Sequence, residues 1–441
     1  MKYNTMTVLA AVIGCALAWQ IPSPAAAQRE KVVLSFGGRT APYPVAGLID
    51  VRGILYGTTE YSGDGNRSCG LKIGGCGILY WLDPKTGAGG WDAFCGASCG
   101  DGARPEAALI DVKGILYGTT YGGGIGTYKH CGKLGCGTVY AFDPATDAEK
   151  VIYSFCSQQK CRDGIGPVSN LIYARGLLYG TTQQGGIDDS NCYRGCGTVF
   201  VLDPYSGMET VLHSFCSRKR RNCLDGERPS AGLIRVKDKL YGTTSEGGDH
   251  NSGTVFSLDL KTGAEKVLHE FQGAPDGEAP LAGLVDVNGT LYGTTVLGGV
   301  GSSVCRKWGC GTVFSVDLTT GAESVVYSFC SLRDCADGSS PQAGLINVSG
   351  ILYGTAGAVF SLNPTTGAET VVYAFCSRRD CKDGEDPVAG LIDVHGTLYG
   401  TTIYGGDQKG CYLPSDARLI PQMPARRPKT RCGTVFAIKH P

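Results

Sequence analysis

Residues 30–36 read Glu-Lys-Val-Val-Leu-Ser-Phe, and residues 149–155 read Glu-Lys-Val-Ile-Tyr-Ser-Phe. The second copy is the last run in a unit of four strand-like runs, at residues 107–112, 115–120, 138–143 and 149–155. The final unit of the chain stops at its third run, residues 434–438, with no fourth run after it. The segment at residues 30–36 can therefore supply the strand that the final unit lacks.

The unit recurs along nearly the whole chain. Its Leu-Tyr-Gly-Thr segment occurs seven times, with tyrosines at Tyr56, Tyr117, Tyr179, Tyr241, Tyr292, Tyr353 and Tyr399. The runs do not alternate strictly between apolar and polar residues, which indicates burial on both faces of each sheet. Blades packed around an axis bury strands in this way. A solenoid would also do so but needs end caps, and the division of one unit between the two ends favours a closed ring.

The sequence therefore predicts an all-β, seven-bladed β-propeller with four antiparallel strands per blade, closed by the N-terminal strand. Closure places the first strand of each unit at the axis. The loops between strands two and three, and the linkers from strand four to the next blade, then share one face, which we call the loop face. The short hairpins form the opposite, hairpin face. Length varies mostly on the loop face, where we expect binding or chemistry.

The N-terminus has the pattern of an export signal. Lys2 precedes an apolar run from Thr7 to Trp19, and Ala25-Ala26-Ala27 is a small-residue cleavage site. We expect residues 1–27 to be a signal peptide and residues 28–441 to be one propeller domain in a secreted or periplasmic protein. Val12-Ile13-Gly14-Cys15 offers a competing lipobox with Cys15 as lipid anchor. The apolar run is too short for a transmembrane helix.

The repeated pieces, as in Asp276 to Phe314, are Asp-Gly-x-x-Pro, Gly-Leu-Ile or Gly-Leu-Val, Leu-Tyr-Gly-Thr-Thr, Gly-Gly and Gly-Thr-Val-Phe. They resemble the GloVer-type choice-of-anchor tandem-repeat family of exported bacterial proteins. The resemblance implies a propeller-like repeat without an assigned activity, so it transfers no catalytic residue. This chain differs from the pattern by carrying cysteines in its loops.

The chain has 21 cysteines, and 20 remain without Cys15, an even number that suits full pairing in an oxidising compartment. We favour disulfides within each loop over a rival pairing of Cys136 with Cys156 across a hairpin. Zinc binding is the weaker alternative because histidines are scarce and unclustered. The favoured pairs are Cys69–Cys76, Cys95–Cys99, Cys131–Cys136, Cys156–Cys161, Cys192–Cys196, Cys216–Cys223, Cys305–Cys310, Cys330–Cys335, Cys376–Cys381 and Cys411–Cys432.

Six units share an aspartate in the Asp-Gly-x-x-Pro element, and Thr40 takes its place in the seventh. We expect these residues near the mouth of the central channel, where a ring of carboxylates could hold Ca²⁺ or a cationic ligand. The favoured interpretation is structural, with each Asp-Gly forming a tight turn and the carboxylate capping backbone amides. The aspartates are Asp101, Asp163, Asp225, Asp276, Asp337 and Asp383.

Other repeated polar residues also favour structural roles. The paired threonines, such as Thr119-Thr120, suit strand ends, and the repeated tyrosines suit packing between blades. His213 and His269 occupy a position that is tyrosine in other units, which indicates packing. No nucleotide-binding loop, metalloprotease motif, nucleophile elbow or catalytic triad is evident. We expect no cofactor.

Basic residues are the least repetitive feature. Overall charge is balanced, with 40 basic and 40 acidic residues, which argues against nucleic acid as a partner. Basic residues nevertheless gather in three segments of the loop face. A positive rim there could attract an anionic polysaccharide or an acidic protein surface. The candidate ligand-binding residues are Arg218, Arg220, Arg221, Arg378, Arg379, Arg426 and Arg427, with Lys219, Lys382, Lys429 and Arg431 beside them.

These features favour a monomeric binding module of the extracytoplasmic space. Two alternatives remain open: a glycan-processing hydrolase or lyase with an axial active site, and a purely structural surface protein. A deep axial pocket lined by non-repeating carboxylates would favour the enzyme.

Overall fold

The computed structural model describes residues 30–37, 42–63, 75–95, 99–125, 131, 134–187, 192, 194–217, 223–300, 304–407 and 432–440. In this part of the chain the strands form seven four-stranded antiparallel sheets, each ordered from strand one to strand four. Strand one pairs only with strand two, and strand ones of neighbouring blades contact each other, so these strands surround the axis. The predicted seven-bladed propeller is confirmed.

The strands of each class have closely similar lengths. The first strands are Ile49–Val51, Ile110–Val112, Ile172–Ala174, Ile234–Val236, Val285–Val287, Ile346–Val348 and Ile392–Asp393. The second strands are Ile54–Thr59, Ile115–Thr120, Leu177–Thr182, Lys239–Thr244, Thr290–Thr295, Ile351–Thr355 and Thr397–Thr402. The third strands are Ile78–Leu82, Thr138–Asp143, Thr198–Leu202, Thr254–Asp259, Thr312–Asp317, Ala358–Leu362 and Thr434–Lys439. The fourth strands are Gly89–Ala93, Ala148–Ser154, Glu209–Ser214, Glu265–Glu270, Glu323–Ser328, Glu369–Ala374 and Glu30–Ser35.

Several short elements lie on the loop face. Gly277–Glu278 pairs with Leu297–Gly298, joining a linker to the loop between strands two and three of the same blade. Isolated bridges such as Ile165 with Gln184 make the same connection in other blades. The two loop families therefore lie together, as predicted. Single-turn 3-10 helices occur at Gln159–Cys161, Arg306–Trp308, Arg333–Cys335 and Arg379–Cys381.

The N-terminal strand closes the ring. Glu30 pairs with Ile438 and Ser35 with Thr434, in antiparallel register. Phe36, directly after this strand, packs edge-on against Tyr80 of blade 1, with ring centroids 5.1 Å apart. The division of blade 7 between the two ends of the sequence is thus confirmed.

Aromatic pairs join every blade to the next. Phe155 at the end of blade 2 meets Phe200 on the third strand of blade 3, with centroids 5.0 Å apart. Edge-to-face contacts of this kind add about 0.5–1.5 kcal/mol to the area that they bury. The equivalent pairs are Phe36–Tyr80, Phe94–Tyr140, Phe215–Phe256, Phe271–Phe314, Phe329–Phe360 and Phe375–Phe436.

The glycine of each Leu-Tyr-Gly-Thr segment makes room for one of these rings. Gly293 lies opposite Phe314 in the strand register. A Cβ atom built on Gly293 would lie 2.5 Å from Phe314 Cζ and 2.8 Å from Leu284 Cδ2. Both contacts are shorter than any normal carbon–carbon contact. The Phe314 ring can therefore occupy this position only because residue 293 has no side chain.

The threonine that follows each Leu-Tyr-Gly segment links neighbouring blades, a role that the sequence did not reveal. Thr119 donates to the backbone oxygen of Ser169 in blade 3 at 3.3 Å. Thr401 donates to the oxygen of Pro44 at 2.9 Å, across the closing junction. Because these hydroxyls are buried, each loses its partner if the blades separate. The other donors are Thr58, Thr181, Thr243, Thr294 and Thr355.

Candidate functional site: the loop face

Eight disulfides occur among the described residues, and each joins two cysteines of one loop. This is the within-loop arrangement favoured above rather than the pairing of Cys136 with Cys156. Cys76 and Cys432 are also disulfide-bonded, while Cys69 and Cys411 lie outside the described residues. The bonds are Cys95–Cys99, Cys131–Cys136, Cys156–Cys161, Cys192–Cys196, Cys216–Cys223, Cys305–Cys310, Cys330–Cys335 and Cys376–Cys381.

Disulfides of the two loop families stack on each other. Cys192, Cys196, Cys216 and Cys223 are all buried, and their sulfur atoms lie within 4.8 Å of one another. The sulfur of Cys223 is 3.8 Å from those of both Cys192 and Cys196. Each stacked pair fixes a loop to the linker that leaves the same blade. Sulfurs bonded in disulfides are not thiolates, so this bonded form is not a zinc site.

Five of the aspartates of the Asp-Gly-x-x-Pro element are seen to cap backbone amides, as the favoured interpretation proposed. Asp163 accepts from Ser157 N at 2.8 Å and from Gln158 N at 3.3 Å. Asp337 and Asp383 repeat this pattern, Asp225 caps Ser217, and Asp276 caps Gln272. The expectation that they ring the channel mouth is wrong. Asp163 also accepts from Tyr153 of the outermost strand at 2.8 Å, so these carboxylates lie at the outer edge of the blades.

At that outer edge a glutamate of the next blade lies beside most of these aspartates. Tyr153 Oη is 2.8 Å from Asp163 Oδ2 and 3.5 Å from Glu209 Oε2. Burial, with the nearby charge of Asp163, raises the pKa of Glu209 to about 7. Burial likewise raises the pKa of Glu323, Glu369 and Glu30 to about 7, and that of Glu149 to about 8.

These glutamates make stability depend on pH. Their folded-state pKa lies above the ordinary value of 4.5, so between about pH 4.5 and 8 the folded state binds more protons than the unfolded state. The stability that these glutamates contribute is therefore fully present below pH 4.5 and is lost as pH rises through about 7 to 8. We expect a lower melting temperature at pH 8 than at pH 5, and a smaller difference in Glu209→Gln. The exposed Asp334→Asn is the control, and a melting temperature that rises from pH 5 to pH 8 would contradict this.

His213 and His269 occupy the position of Tyr153 in their blades. His269 Nε2 lies 3.2 Å from Asp276 Oδ2, and His213 Nε2 lies 3.3 Å from Asp225 Oδ2. Both rings also pack edge-on against the phenylalanine two residues later. The predicted packing role therefore includes an interaction with the capping aspartate.

Two of the seven candidate arginines lie in the described part of the chain. The Arg378 guanidinium lies 2.9 Å from Glu30 Oε2 and donates to the Glu30 backbone oxygen at 2.8 Å, which fastens blade 6 to the closing strand. Arg379 is exposed, and nearby Lys382 pairs with Asp407 at 2.9 Å. The remaining candidates, Arg218, Arg220, Arg221, Arg426 and Arg427, lie outside the described residues.

Four apolar residues on the loops of blade 5 are exposed, and the sequence did not reveal them. Trp308 is 44% exposed and Leu332 is 51% exposed, and Val300 and Val304 are also exposed. Lys307 Nζ lies 4.7 Å from the centre of the Trp308 ring. Tryptophan on a disulfide-bearing loop was the available signal, since no other unit has tryptophan there. We call these four apolar residues the blade 5 patch.

A second group lies where blades 7, 1 and 2 meet on the loop face. Tyr43 packs against Tyr61 and Tyr404, with ring centroids 5.8 and 6.3 Å apart. Arg104 donates to Glu60 at 3.0 Å and lies 5.4 Å from the Tyr61 ring centre. The residue before the element's proline differs between units, and Tyr43 and Arg104 are both at that position. The variation at this position was the sequence signal that could have identified this group of residues.

A family model describes most of this sequence. It is the Gloeobacter/Verrucomicrobia repeat, and it matches residues 20–223, 68–304 and 193–413. The chain belongs to this family. The repeat of this family therefore accounts for the propeller scaffold. No curated protein matches the chain.

Two solved structures are similar to this chain at low sequence identity. The extracellular domain of a hybrid two-component system from B. thetaiotaomicron is 12% identical, with a TM-score of 0.50 over 91% of this chain and 40% of that one. BamB from Moraxella catarrhalis is 13% identical, with a TM-score of 0.44 over 90% of this chain and 85% of that one. In the described residues of this repeat protein, no helix is long and apolar enough to cross a membrane.

Proposed function

We propose that this repeat protein is an exported binding module whose loop face holds a partner with an anionic surface, either an acidic polysaccharide or an acidic protein. The blade 5 patch is the observation that supports this most. Tryptophan and arginine residues dominate the binding energy of many interfaces. Here Trp308 has Lys307 over its ring, and Arg333, next to Leu332, is 96% exposed.

The disulfides support the same proposal. A loop held in one shape loses less conformational entropy when it binds, so more of the contact energy appears as affinity. Small disulfide rings stabilise the fold less than long-range ones do, and this suits a role in fixing loop shape. Disulfides also persist in extracytoplasmic compartments. In this proposal residues 1–27 are removed on export, residues 28–441 act as a monomer, and Arg218, Arg379 and Arg426 with their basic neighbours extend the positive surface.

Truncation of the blade 5 patch tests the proposal. We expect Trp308→Ala to weaken binding of polygalacturonate about 30-fold, because loss of an interface anchor costs about 2 kcal/mol. Titration calorimetry at low and high salt measures this, and the charge attraction should weaken as salt rises. Tyr205→Ala, 74% exposed on the hairpin face, is the matched control.

If the partner is a protein, an acidic protein should bind in place of the polysaccharide. Trp308→Ala should then weaken the binding of that protein to the same extent. Binding that is insensitive to salt, or equally strong to neutral dextran, would disprove the anionic partner. Unchanged affinity in Trp308→Ala would disprove the role of the blade 5 patch.

A further inference from the structure

The residues at the axis break the repeat in two neighbouring blades. The middle residue of the first strand is Asp111 in blade 2, Asp286 in blade 5 and Asn347 in blade 6. Each of these accepts a hydrogen bond from the glycine amide three residues later, at 2.7–2.9 Å, and so caps the hairpin turn. Blades 3 and 4 have Tyr173 and Arg235 instead, which cannot cap the turn in this way.

These two exceptions line one cavity. It has a volume of about 450 Å³, and Tyr173, Arg235 and Lys237 form its polar part. The remaining lining is apolar, from the first strands of blades 3 and 4 and from Leu284 of blade 5. This volume suits a small organic molecule. The exceptions to the repeat therefore coincide with a space that a ligand could fill.

The charge of this region is positive. Lys261 and Arg175 lie beside Asp238 and, together with Arg235, hold the pKa of that carboxyl below its ordinary value. Asp238 forms its salt bridges with Arg175 and Lys261, whereas Arg235 and Lys237 form none within the described residues. At the position of Arg235, blades 1, 2, 5 and 7 carry the negative Asp50, Asp111, Asp286 and Asp393.

Lys237 has a backbone conformation that does not favour lysine. Its φ is +57°, the left-handed region, and the equivalent residue of blade 5 is Asn288 with φ +55°. Asparagine tolerates this region better than residues with long side chains do. Blades 1, 2 and 3 nevertheless carry Arg52, Lys113 and Arg175 at this position with the same φ, so Lys237 adds positive charge to the cavity without being an exception to the repeat.

The backbone adds polar groups to the same space. The first strands pair on one side only, with strand two, so their other edge faces the axis. Unpaired N–H and C=O groups on such an edge can bond to hydroxyl groups of a ligand. The cavity thus combines Arg235, Lys237 and Tyr173 with apolar side chains, beside the edge of the first strands that no other strand pairs with.

We propose that this cavity binds a small carboxylated sugar. Arg235 holds the carboxylate through its two parallel donors, Lys237 adds charge, and Tyr173 with the apolar strand residues contacts the ring face. The site is on the axis and does not include the blade 5 patch, so it is independent of the binding role proposed for the loop face.

The test replaces the exceptional residues of blades 3 and 4 by the aspartate that other blades carry at the same position. Arg235→Asp puts the residue of blades 2 and 5 into blade 4, where it can cap the hairpin turn, so this variant should fold with an unchanged or higher melting temperature. We expect calorimetry with glucuronate to give measurable binding to the unaltered protein and at least about tenfold weaker binding to Arg235→Asp. Tyr173→Asp should also weaken it. Asn347→Asp, at the same position in blade 6, should have no effect.

Three results would overturn the proposal: no glucuronate binding at millimolar concentration, equal binding of glucose, or equal binding of inorganic phosphate. Glucuronate affinity unchanged in Arg235→Asp would also overturn it. Trp308→Ala, which tests the loop face, should bind glucuronate normally.

Discussion

Deletion of residues 30–36 is expected to leave the ring open and to yield protein that aggregates and lacks a cooperative thermal transition. The third strand of blade 7, Thr434–Lys439, would lose its whole ladder with Glu30–Ser35. An unpaired strand at the edge of a sheet is a template for association with other chains. Circular dichroism melting and size-exclusion chromatography measure both effects.

A peptide of residues 28–37 supplied in trans makes this test specific. It can occupy the vacant edge and restore the Phe36 contact with Tyr80, so we expect recovered solubility and a recovered transition. A peptide in which Phe36 is replaced by Ala should rescue less well, because loss of a buried phenylalanine costs about 3–5 kcal/mol. Soluble, cooperatively folded protein without residues 30–36 would contradict the importance of closure.

Gly293→Ala is expected to lower the free energy of unfolding by about 2–3 kcal/mol, as overpacking of a rigid core does. The new Cβ would lie 2.5 Å from Phe314, whose side chain is fully buried and packs against Phe271 of blade 4. The ring cannot move away without disturbing the contact between blades 4 and 5. Denaturant unfolding measures the change.

Gly390→Ala is the matched control in the same protein. A Cβ atom at Gly390 meets nothing within 4 Å, and its φ is not left-handed. Because alanine restricts the unfolded chain more than glycine does, this variant should be as stable as the original or slightly more stable. Equal effects of the two substitutions would show that the ring of Phe314 does not require the glycine.

The scaffold could be predicted because the same pattern of strands occurs in seven units. The similarity of residues 30–36 to residues 149–155 identified the closing strand without any knowledge of contacts. Repetition did not reveal the role of Thr119, because its acceptor is the backbone of Ser169, 50 residues away in the next blade. A hydrogen bond to a backbone oxygen leaves no pattern in the partner's side chain.

The position of Asp163 shows a different limit. The linker from strand four to the next strand one crosses the full radius of the blade, and sequence distance to Ile172 suggested the axis. The capping amides of Ser157 and Gln158 and the hydroxyl of Tyr153 hold the aspartate at the outer end instead. The tyrosine ten residues before Asp163, Asp337 and Asp383 was the sequence signal that this contact left.

The candidate sites were harder to predict because they consist of exceptions to the repeat. Trp308 has no counterpart in the other units, and its exposure depends on the local path of a single loop. Arg235 and Tyr173 are conspicuous only once the capping role of Asp111 and Asn347 is known. Residues that recur in every unit serve the fold. Residues that depart from the repeat, such as Trp308 and Arg235, are not explained by the fold and are therefore candidates for binding.

The closing ladder also determines how the molecule is oriented when it is attached to something else. Glu30 pairs with Ile438, so the chain enters the propeller and leaves it side by side, at the hairpin end of blade 7. A fusion partner, tag or surface joined before Glu30 or after His440 therefore lies on the hairpin side. The disulfide-bearing loops then point away from the point of attachment, toward whatever approaches from outside.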